Sequence, residues 1–194
     1  MQKSNLFSTF AVLVSLAALG FLLYNFNFDS GSQLNLSPQQ EIKNIKQSFL
    51  WNYQFTDVLT NRQFTLSDYE GKTMLIESSS PSCPQCVKQQ QQILSVKNEL
   101  GESVIVISFI TDSEYDISRV QQYAQGNKFD WNFVVSKKAT DALRDNLGEN
   151  FLIFSSNPLK IACPDGRIIN FESGIKSSSE LATIPSEHSR CRCT

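Results

Sequence analysis

Two absences in this sequence exclude whole classes of protein. Lysine and arginine form no dense block, and the formal net charge is −2 over 194 residues. Proteins that bind nucleic acid through its phosphates need a basic surface, so nucleic acid is not an expected partner. Internal repeats are also missing, and Gln89–Gln92 is the one low-complexity run. The length then predicts one domain of ordinary size with an appendage.

Charged residues are missing from the start of the chain. None occurs at positions 4–28, and the nineteen residues at 6–24 are almost wholly apolar. A helix of that length spans roughly 28 Å, close to the hydrocarbon thickness of a bilayer. Lys3 precedes the run and Asp29 follows it, which favours a cytoplasmic amino terminus. We predict a transmembrane signal anchor that contacts the membrane through residues 6–24. Removal of this segment, giving a secreted domain, is the alternative.

One cysteine pair lies in a context that indicates chemistry. Cys83 and Cys86 are separated by two residues, between a strand-like run and a helical pattern. Unpaired N–H groups and the dipole at a helix start stabilise a thiolate, so one thiol is predicted to attack disulfides and the other to resolve the mixed disulfide. Pro84 suits the first helical turn. The alternatives are a static disulfide, whose loop is too small to stabilise much, and half a zinc site, for which no second CxxC follows.

The elements around this motif alternate between strands and helices. Strands are predicted at 73–78 and 104–110, and the motif helix between them makes a right-handed parallel crossover. Its glutamines at 89–92 are assigned to the polar face. The turn Pro164-Asp165-Gly166-Arg167 joins two antiparallel strands. These strands lie at 159–163 and 168–171. The Ser177-x-x-Glu180 capping box predicts a last helix at 178–184. The other predicted elements are a short helix from 37 to 48, strands at 51–58 and 61–66, a strand or loop at 129–135, and helices at 115–125 and 139–147.

This order of elements resembles the thioredoxin fold, an α/β fold with a central mixed sheet flanked by helices. The run Phe64–Lys72 is similar to the approach to the active site in membrane-anchored TlpA/ResA-type thiol–disulfide oxidoreductases. The resemblance covers residues 52–184. It implies an extracytoplasmic enzyme that exchanges disulfides with protein substrates and with a redox partner protein. The dithiol is then the redox centre, so no organic cofactor and no metal are expected.

The resemblance assigns roles to individual residues. Cys83 matches the nucleophilic cysteine and Cys86 the resolving one, and together they form the redox-active disulfide. Pro158 lies at the place of the family's cis-proline, which shapes the substrate groove together with Pro84 and Gln85. An ordinary trans proline in a loop is the other interpretation of Pro158.

Glu77 is the remaining candidate for a catalytic residue. It lies six residues before Cys83, where thioredoxins place a buried acid that relays a proton to or from Cys86. A carboxylate that faces solvent at a strand end is the alternative.

The residues around the two cysteines differ from the family pattern. Ser82 stands where many relatives have Trp, and the Pro-Gln pair resembles that of glutaredoxins and oxidising Dsb-type proteins. The direction of electron flow is therefore left open.

Two other functions remain as alternatives. A peroxiredoxin-like thiol peroxidase is suggested by Ser80, three residues before Cys83, although Ile76 stands in place of that motif's proline. The second is a Sco-like copper-binding assembly factor, which uses Cys-x-x-x-Cys and a distant histidine. The single histidine of this chain, His188, lies near the carboxyl terminus.

Three cysteines lie outside the motif. Cys163 falls in a predicted core strand and is interpreted as a small hydrophobe. Cys191 and Cys193 lie in a terminus that is interpreted as frayed, with incidental thiols. The alternative is a soft-metal or auxiliary thiol tail that exchanges with the motif dithiol. The acidic residues at 112–116 are interpreted as a solvated loop and a helix start.

The predicted organisation is a signal anchor at 1–28, a linker and short helix at 29–50, a thioredoxin-like domain at 51–184 and a flexible tail at 185–194.

Overall fold

A five-stranded mixed sheet with the motif strand at its centre organises the fold. The computed structural model describes residues 44–102, 104–112, 114, 116–171, 173–184 and 191. The sheet contains β3 (Thr73–Ser79), β4 (Val104–Ile110), β5 (Asn132–Val135), β6 (Leu159–Ala162) and β7 (Ile168–Asn170), in the order β5-β4-β3-β6-β7. Strands β3, β4 and β5 are parallel, while β6 is antiparallel to both β3 and β7. A separate hairpin pairs β1 (Phe55–Thr56) with β2 (Gln63–Phe64).

Helices cover both faces of the sheet. They are α1 (Pro84–Leu100), α2 (Ile117–Asn127), α3 (Lys137–Leu147) and the short α4 (Ser178–Ala182). Successive residues of β3 point to opposite faces, so Leu75 packs with α1 and α2 while Ile76 packs with α3. Every residue of β3 is buried, as expected for a strand covered on both sides. The predicted α/β architecture, a mixed sheet flanked by helices, is confirmed.

The main differences from the predicted elements lie before the motif. The strand predicted at 51–58 is reduced to β1 because the carboxylate of Asp57 accepts the N–H groups of Leu59 and Thr60, at 3.2 and 3.1 Å. Such an Asx turn ends the strand. In the described part of the predicted helix at 37–48, residues 45–47 form a single 3-10 turn.

Residues 44–50, which the sequence analysis grouped with the linker, pack against the sheet as an extension. Ile45 and Leu50 are fully buried. The N–H of Ile45 donates to the carbonyl of Gly166 at 2.7 Å. Gly166 has φ +91°, and a Cβ at this position would lie 2.4 Å from Oδ1 of Asn44. The predicted Pro-Asp-Gly turn therefore needs glycine both for its backbone and for the approach of this extension.

The predicted membrane span at 6–24, most of the linker and nearly all of the tail fall outside the described residues. All described residues belong to one compact unit within residues 38–194. Within that described part, no helix is both long enough and apolar enough to cross a bilayer.

A second disulfide corrects the interpretation of Cys163 and Cys191. These two cysteines are bonded to each other, with their Cα atoms 5.4 Å apart, and Cys163 is buried. Cys163 follows β6 beside the start of β3, whereas Cys83 lies beyond the end of β3. The six steps along β3 cover about 20 Å. Cys191 is thus held at the opposite end of the sheet from the motif dithiol, so neither interpretation of the terminus, an incidental thiol or one that exchanges with that dithiol, applies to this cysteine.

The Cys163–Cys191 disulfide is expected to stabilise the fold. It joins residues 28 apart, and closing a loop of that length lowers the entropy of the unfolded chain, which stabilises the folded protein by about 3.6 kcal/mol. We therefore predict that Cys191→Ser lowers the free energy of unfolding in urea by roughly that amount, with Cys193→Ser as the matched control. Equal unfolding midpoints for the two variants would show that this disulfide is not a stabilising crosslink.

Candidate active site

The motif dithiol lies where the central strand turns into α1. Cys83 is the N-cap residue of α1, and its Sγ accepts the N–H of Cys86 at 3.2 Å. The two cysteines form a disulfide, with their Cα atoms 5.2 Å apart. Pro84 follows as the first helical residue, where no N–H is needed. Cys83 is 6% exposed and Cys86 2%, while Pro84 and Gln85 are exposed beside them. The predicted position of Cys83 at a helix start is therefore observed.

A buried carboxyl group lies beneath this helix. Glu77, on β3, is 3% exposed, which excludes the solvent-facing interpretation. Its Oε1 accepts the Nε2–H of Gln90 at 2.6 Å and the hydroxyl of Ser108. Burial raises the pKa of Glu77 to about 7, although these two hydrogen bonds act in the opposite direction. Gln90 lies one helical turn after Cys86 on the same face of α1.

The polar network continues from Glu77 to α2 and to the residue that precedes β5. The hydroxyl of Tyr123, on α2, donates to Oε1 of Gln90. The indole N–H of Trp131 donates to Oγ of Ser108 at 2.7 Å. Burial, and then the nearby charge of Glu77, raise the pKa of Tyr123 above its ordinary value. Glu77 is thus connected by hydrogen bonds to side chains from α1, α2 and β4, and through Ser108 to Trp131.

The burial of the glutamines corrects the sequence analysis. Gln89 and Gln90 are 2% and 0% exposed, so the interpretation of the run at 89–92 as the polar face of the motif helix is wrong for these two residues. Gln89 accepts the N–H of Lys176 at 2.5 Å, so its amide is satisfied inside the protein. The spacing of Cys86, Gln90 and Ile93 already predicts one shared helical face, and this was the signal available in the sequence.

A second carboxyl group contacts the loop that leads into Cys83. Asp112, two residues after β4, accepts the hydroxyls of Ser80 at 2.8 Å and of Ser82 at 3.3 Å. Asp116 caps α2 by accepting the N–H of Arg119 at 2.8 Å. Glu114 and Asp116 are exposed, as the interpretation of a solvated loop and helix start predicts, while Asp112 is half-buried and also holds the dithiol loop.

The turn before β6 completes the surroundings of the dithiol. The carbonyl oxygen of Phe154 lies 3.3 Å from Sγ of Cys86. The carbonyl of Pro158 accepts the N–H of Ser78 on β3 at 3.4 Å. The described residues contain no cis peptide bond, so the cis-proline expected at Pro158 is corrected to a trans bond. The left-handed backbone of Asn157, with φ 51°, turns the chain into β6 with this trans bond.

Comparison with known proteins bears on the fold. No family model and no curated protein matches the sequence. A thiol:disulfide interchange protein of the thioredoxin family from Chlorobium tepidum is 12% identical with a TM-score of 0.56, covering 70% of this chain and 91% of that one. A secreted thiol-disulfide isomerase from Corynebacterium glutamicum is 14% identical with a TM-score of 0.54, covering 68% and 80%.

A protein with another family name has a similar structure. A SCO1/SenC family lipoprotein from Bacillus anthracis is 18% identical with a TM-score of 0.56, covering 76% of this chain and 99% of that one. Identities this low establish shared architecture and leave function to be argued from the site. The chain has the thioredoxin fold.

Proposed function

We propose that this protein is a thiol–disulfide oxidoreductase that acts through the Cys83–Cys86 pair. The observation that carries the proposal is the position of Cys83 as N-cap of α1, in a disulfide with Cys86. The N-terminus of a helix stabilises a thiolate, which is the attacking species in disulfide exchange. Cys83, the more exposed of the two, attacks a substrate disulfide and releases one substrate thiol. Cys86 then attacks the mixed disulfide, so the substrate is reduced and the pair is oxidised; the reverse sequence oxidises a substrate.

Glu77 serves as the proton acceptor and donor for Cys86. A carboxyl group whose pKa is about 7 can bind or release a proton near neutral pH. Its partner Gln90 lies one helical turn, roughly 5–6 Å between Cβ atoms, from Cys86. When Cys86 attacks the mixed disulfide, its thiol proton passes to Glu77; when the pair is reduced, the proton returns.

The substrates we propose are protein thiols and disulfides, with a second redox protein to exchange electrons. Two exposed apolar side chains flank segments that contact α1: Ile153 is 50% exposed beside Phe154, and Ile175 is 38% exposed beside Lys176. The exposed side chain of Ile153, next to the residue whose carbonyl contacts Cys86, suits a polypeptide better than a small polar disulfide. Pro158, Pro84 and Gln85 border the groove in this proposal.

We place the domain outside the cytoplasm, tethered to the membrane by residues 6–24. The uncharged apolar run supports the tether. The second disulfide, Cys163–Cys191, suits an oxidising compartment. The similar proteins named above include a secreted isomerase and a lipoprotein, which agrees with this location.

The two alternative functions have less support from the site. A thiol peroxidase would use the hydroxyl of Ser80 beside its cysteine, but this hydroxyl is buried and donates to Asp112. A copper-binding assembly factor shares the fold, yet within the described part of the chain no three histidine, cysteine or acidic side chains come together as ligands.

Cysteine variants test the proposed exchange directly. We expect Cys86→Ser to accumulate a mixed disulfide with a disulfide-bonded peptide, because the resolving thiol is missing. Cys83→Ser should form none, and Cys193→Ser should turn over like the unchanged protein. Mass spectrometry of the quenched, alkylated protein identifies the adduct and the cysteine that carries it.

The reduction potential of the pair gives the direction of electron flow. Titration of Cys193→Ser in glutathione buffers, which leaves the Cys163–Cys191 disulfide intact, should give a reversible two-electron couple. A value near or below about −250 mV identifies a reductant, and one between about −180 and −120 mV an oxidant or isomerase. Absence of a reversible couple would rule out the proposed function.

The raised pKa of Glu77 predicts a specific pH dependence of stability. Between the ordinary pKa of 4.5 and about 7, the folded protein keeps a proton that the unfolded chain releases. This contribution is fully present below pH 4.5 and is lost as the pH rises through about 7, by roughly 3 kcal/mol. Glu77→Gln keeps an acceptor for Gln90 and Ser108 but has no such proton. Urea unfolding at about pH 4.5, 6 and 8 should show the decline in the unchanged protein and not in the variant; parallel curves would contradict the assignment.

A further inference from the structure

The loop that leads into Cys83 is attached to the end of β4 by one carboxylate. Oδ2 of Asp112 accepts the hydroxyls of Ser80 and Ser82, and these hydroxyls lie 2.9 Å from each other. Oδ1 of Asp112 accepts the N–H of Glu114 at 3.0 Å. Ser80 is fully buried, so its hydroxyl depends on partners within the protein. Both oxygens of Asp112 are therefore engaged, and one of them is engaged only with the dithiol loop.

The residues that Asp112 holds also fix the backbone of this loop. The carbonyl of Ser80 accepts the N–H of Cys83 at 3.1 Å, and its Oγ accepts the N–H of Ser82 at 3.2 Å. Ser82 directly precedes Cys83, so bond lengths place the carboxylate at most about 12 Å from the sulfur of Cys83. Cys83 is buried and Asp112 is half-buried, and salt screens charges in such positions much less than it screens exposed ones.

No cation in the described residues is paired with this carboxylate. Lys137 and Arg144 line the same cavity of about 520 Å³ as Asp112. Lys137 is paired with Asp141 at 3.2 Å, and Arg144 is paired with Asp141 at 2.8 Å and with Glu149 at 2.9 Å. Asp141 and Glu149 are therefore the partners of the two cations. The carboxylate of Asp112 instead contacts the dithiol loop.

We propose that Asp112 is a positioning residue that lowers the reduction potential of the Cys83–Cys86 couple, an inference that rests on the proposed function. Through Ser80 and Ser82 it fixes the turn before Cys83. Its negative charge opposes the thiolate that the N-terminus of α1 stabilises. Because this destabilises the reduced pair relative to the disulfide, the dithiol gives up its electrons more readily. Asp112 therefore directs the pair towards the role of a reductant.

Asp112→Asn tests this inference in the full chain carrying Cys193→Ser. Asparagine keeps an acceptor for the serine hydroxyls and removes the charge. We expect the equilibrium with glutathione to shift about threefold to tenfold towards the reduced pair, where tenfold corresponds to about 30 mV. Glu102→Gln is the matched control, since it removes one negative charge from an exposed residue that precedes β4, at the other end of the sheet; it should leave the equilibrium unchanged.

A second measurement does not depend on a reversible couple. In a Cys86→Ser background, the pH midpoint for alkylation of Cys83 should move to lower pH with Asp112→Asn, and added salt should reduce the difference. Ser80→Ala keeps the charge of Asp112 but removes one of the two hydroxyls that hold this carboxylate beside the dithiol loop. The pH midpoint should therefore move to lower pH by less than it does with Asp112→Asn.

The outcomes separate the two proposals. If Asp112→Asn behaves like Glu102→Gln in both measurements, or if Ser80→Ala leaves the midpoint unchanged, the positioning role is overturned while the proposed function stands. If the unchanged protein shows no reversible couple, the proposed function fails, and the alkylation midpoints still decide whether Asp112 acts on Cys83.

Discussion

The central strand β3 is the constraint on which the rest of the structure depends. It is paired with β4 on one edge and β6 on the other, and its side chains are buried on both faces. A strand enclosed in this way ends where its neighbouring strands no longer pair with it, and there the chain must turn before α1 begins. Cys83 lies at that turn, with the helix N-terminus directed at its sulfur and with the end of β4 and the start of β6 on either side. The position of the dithiol thus follows from the burial of the strand that precedes it.

Hydrogen bonds and a raised pKa explain why a carboxyl group is tolerated inside this buried strand. An unpaired charge at Glu77 would be costly, since a carboxylate in an apolar interior loses its hydration. The structure reduces that cost in two ways: Gln90 and Ser108 donate hydrogen bonds, and the pKa rises so that the neutral form is accessible near pH 7. The same two features suit a group that exchanges protons with a neighbouring thiol. Stability and the proposed chemistry therefore place related demands on one side chain.

The two disulfides differ in the loop that each closes. Cys83–Cys86 spans three positions at the end of the central strand, where a crosslink constrains little and its sulfurs border exposed residues. Cys163–Cys191 spans 28 positions, with Cys163 buried beside the start of that strand. Loop length favours a stabilising role for the second and not for the first. Their separation at opposite ends of the sheet keeps the two functions apart.

The sequence by itself determined the features that depend on neighbouring residues. The strand, motif and helix order, the parallel crossover, the glycine of the Pro-Asp-Gly turn and the capping box at Ser177 and Glu180 all follow from local periodicity and turn chemistry, and all are present. Only the tertiary structure decided the contacts between distant segments: Glu77 with Ser108, Ser80 with Asp112, Cys163 with Cys191, and the trans bond before Pro158. The contact of Glu77 with Ser108 depends on the register of β3 and β4, since a shift of one residue turns each side chain to the opposite face. A single sequence records which residues are available for such pairing, while the packing of the sheet and its helices selects the pairs.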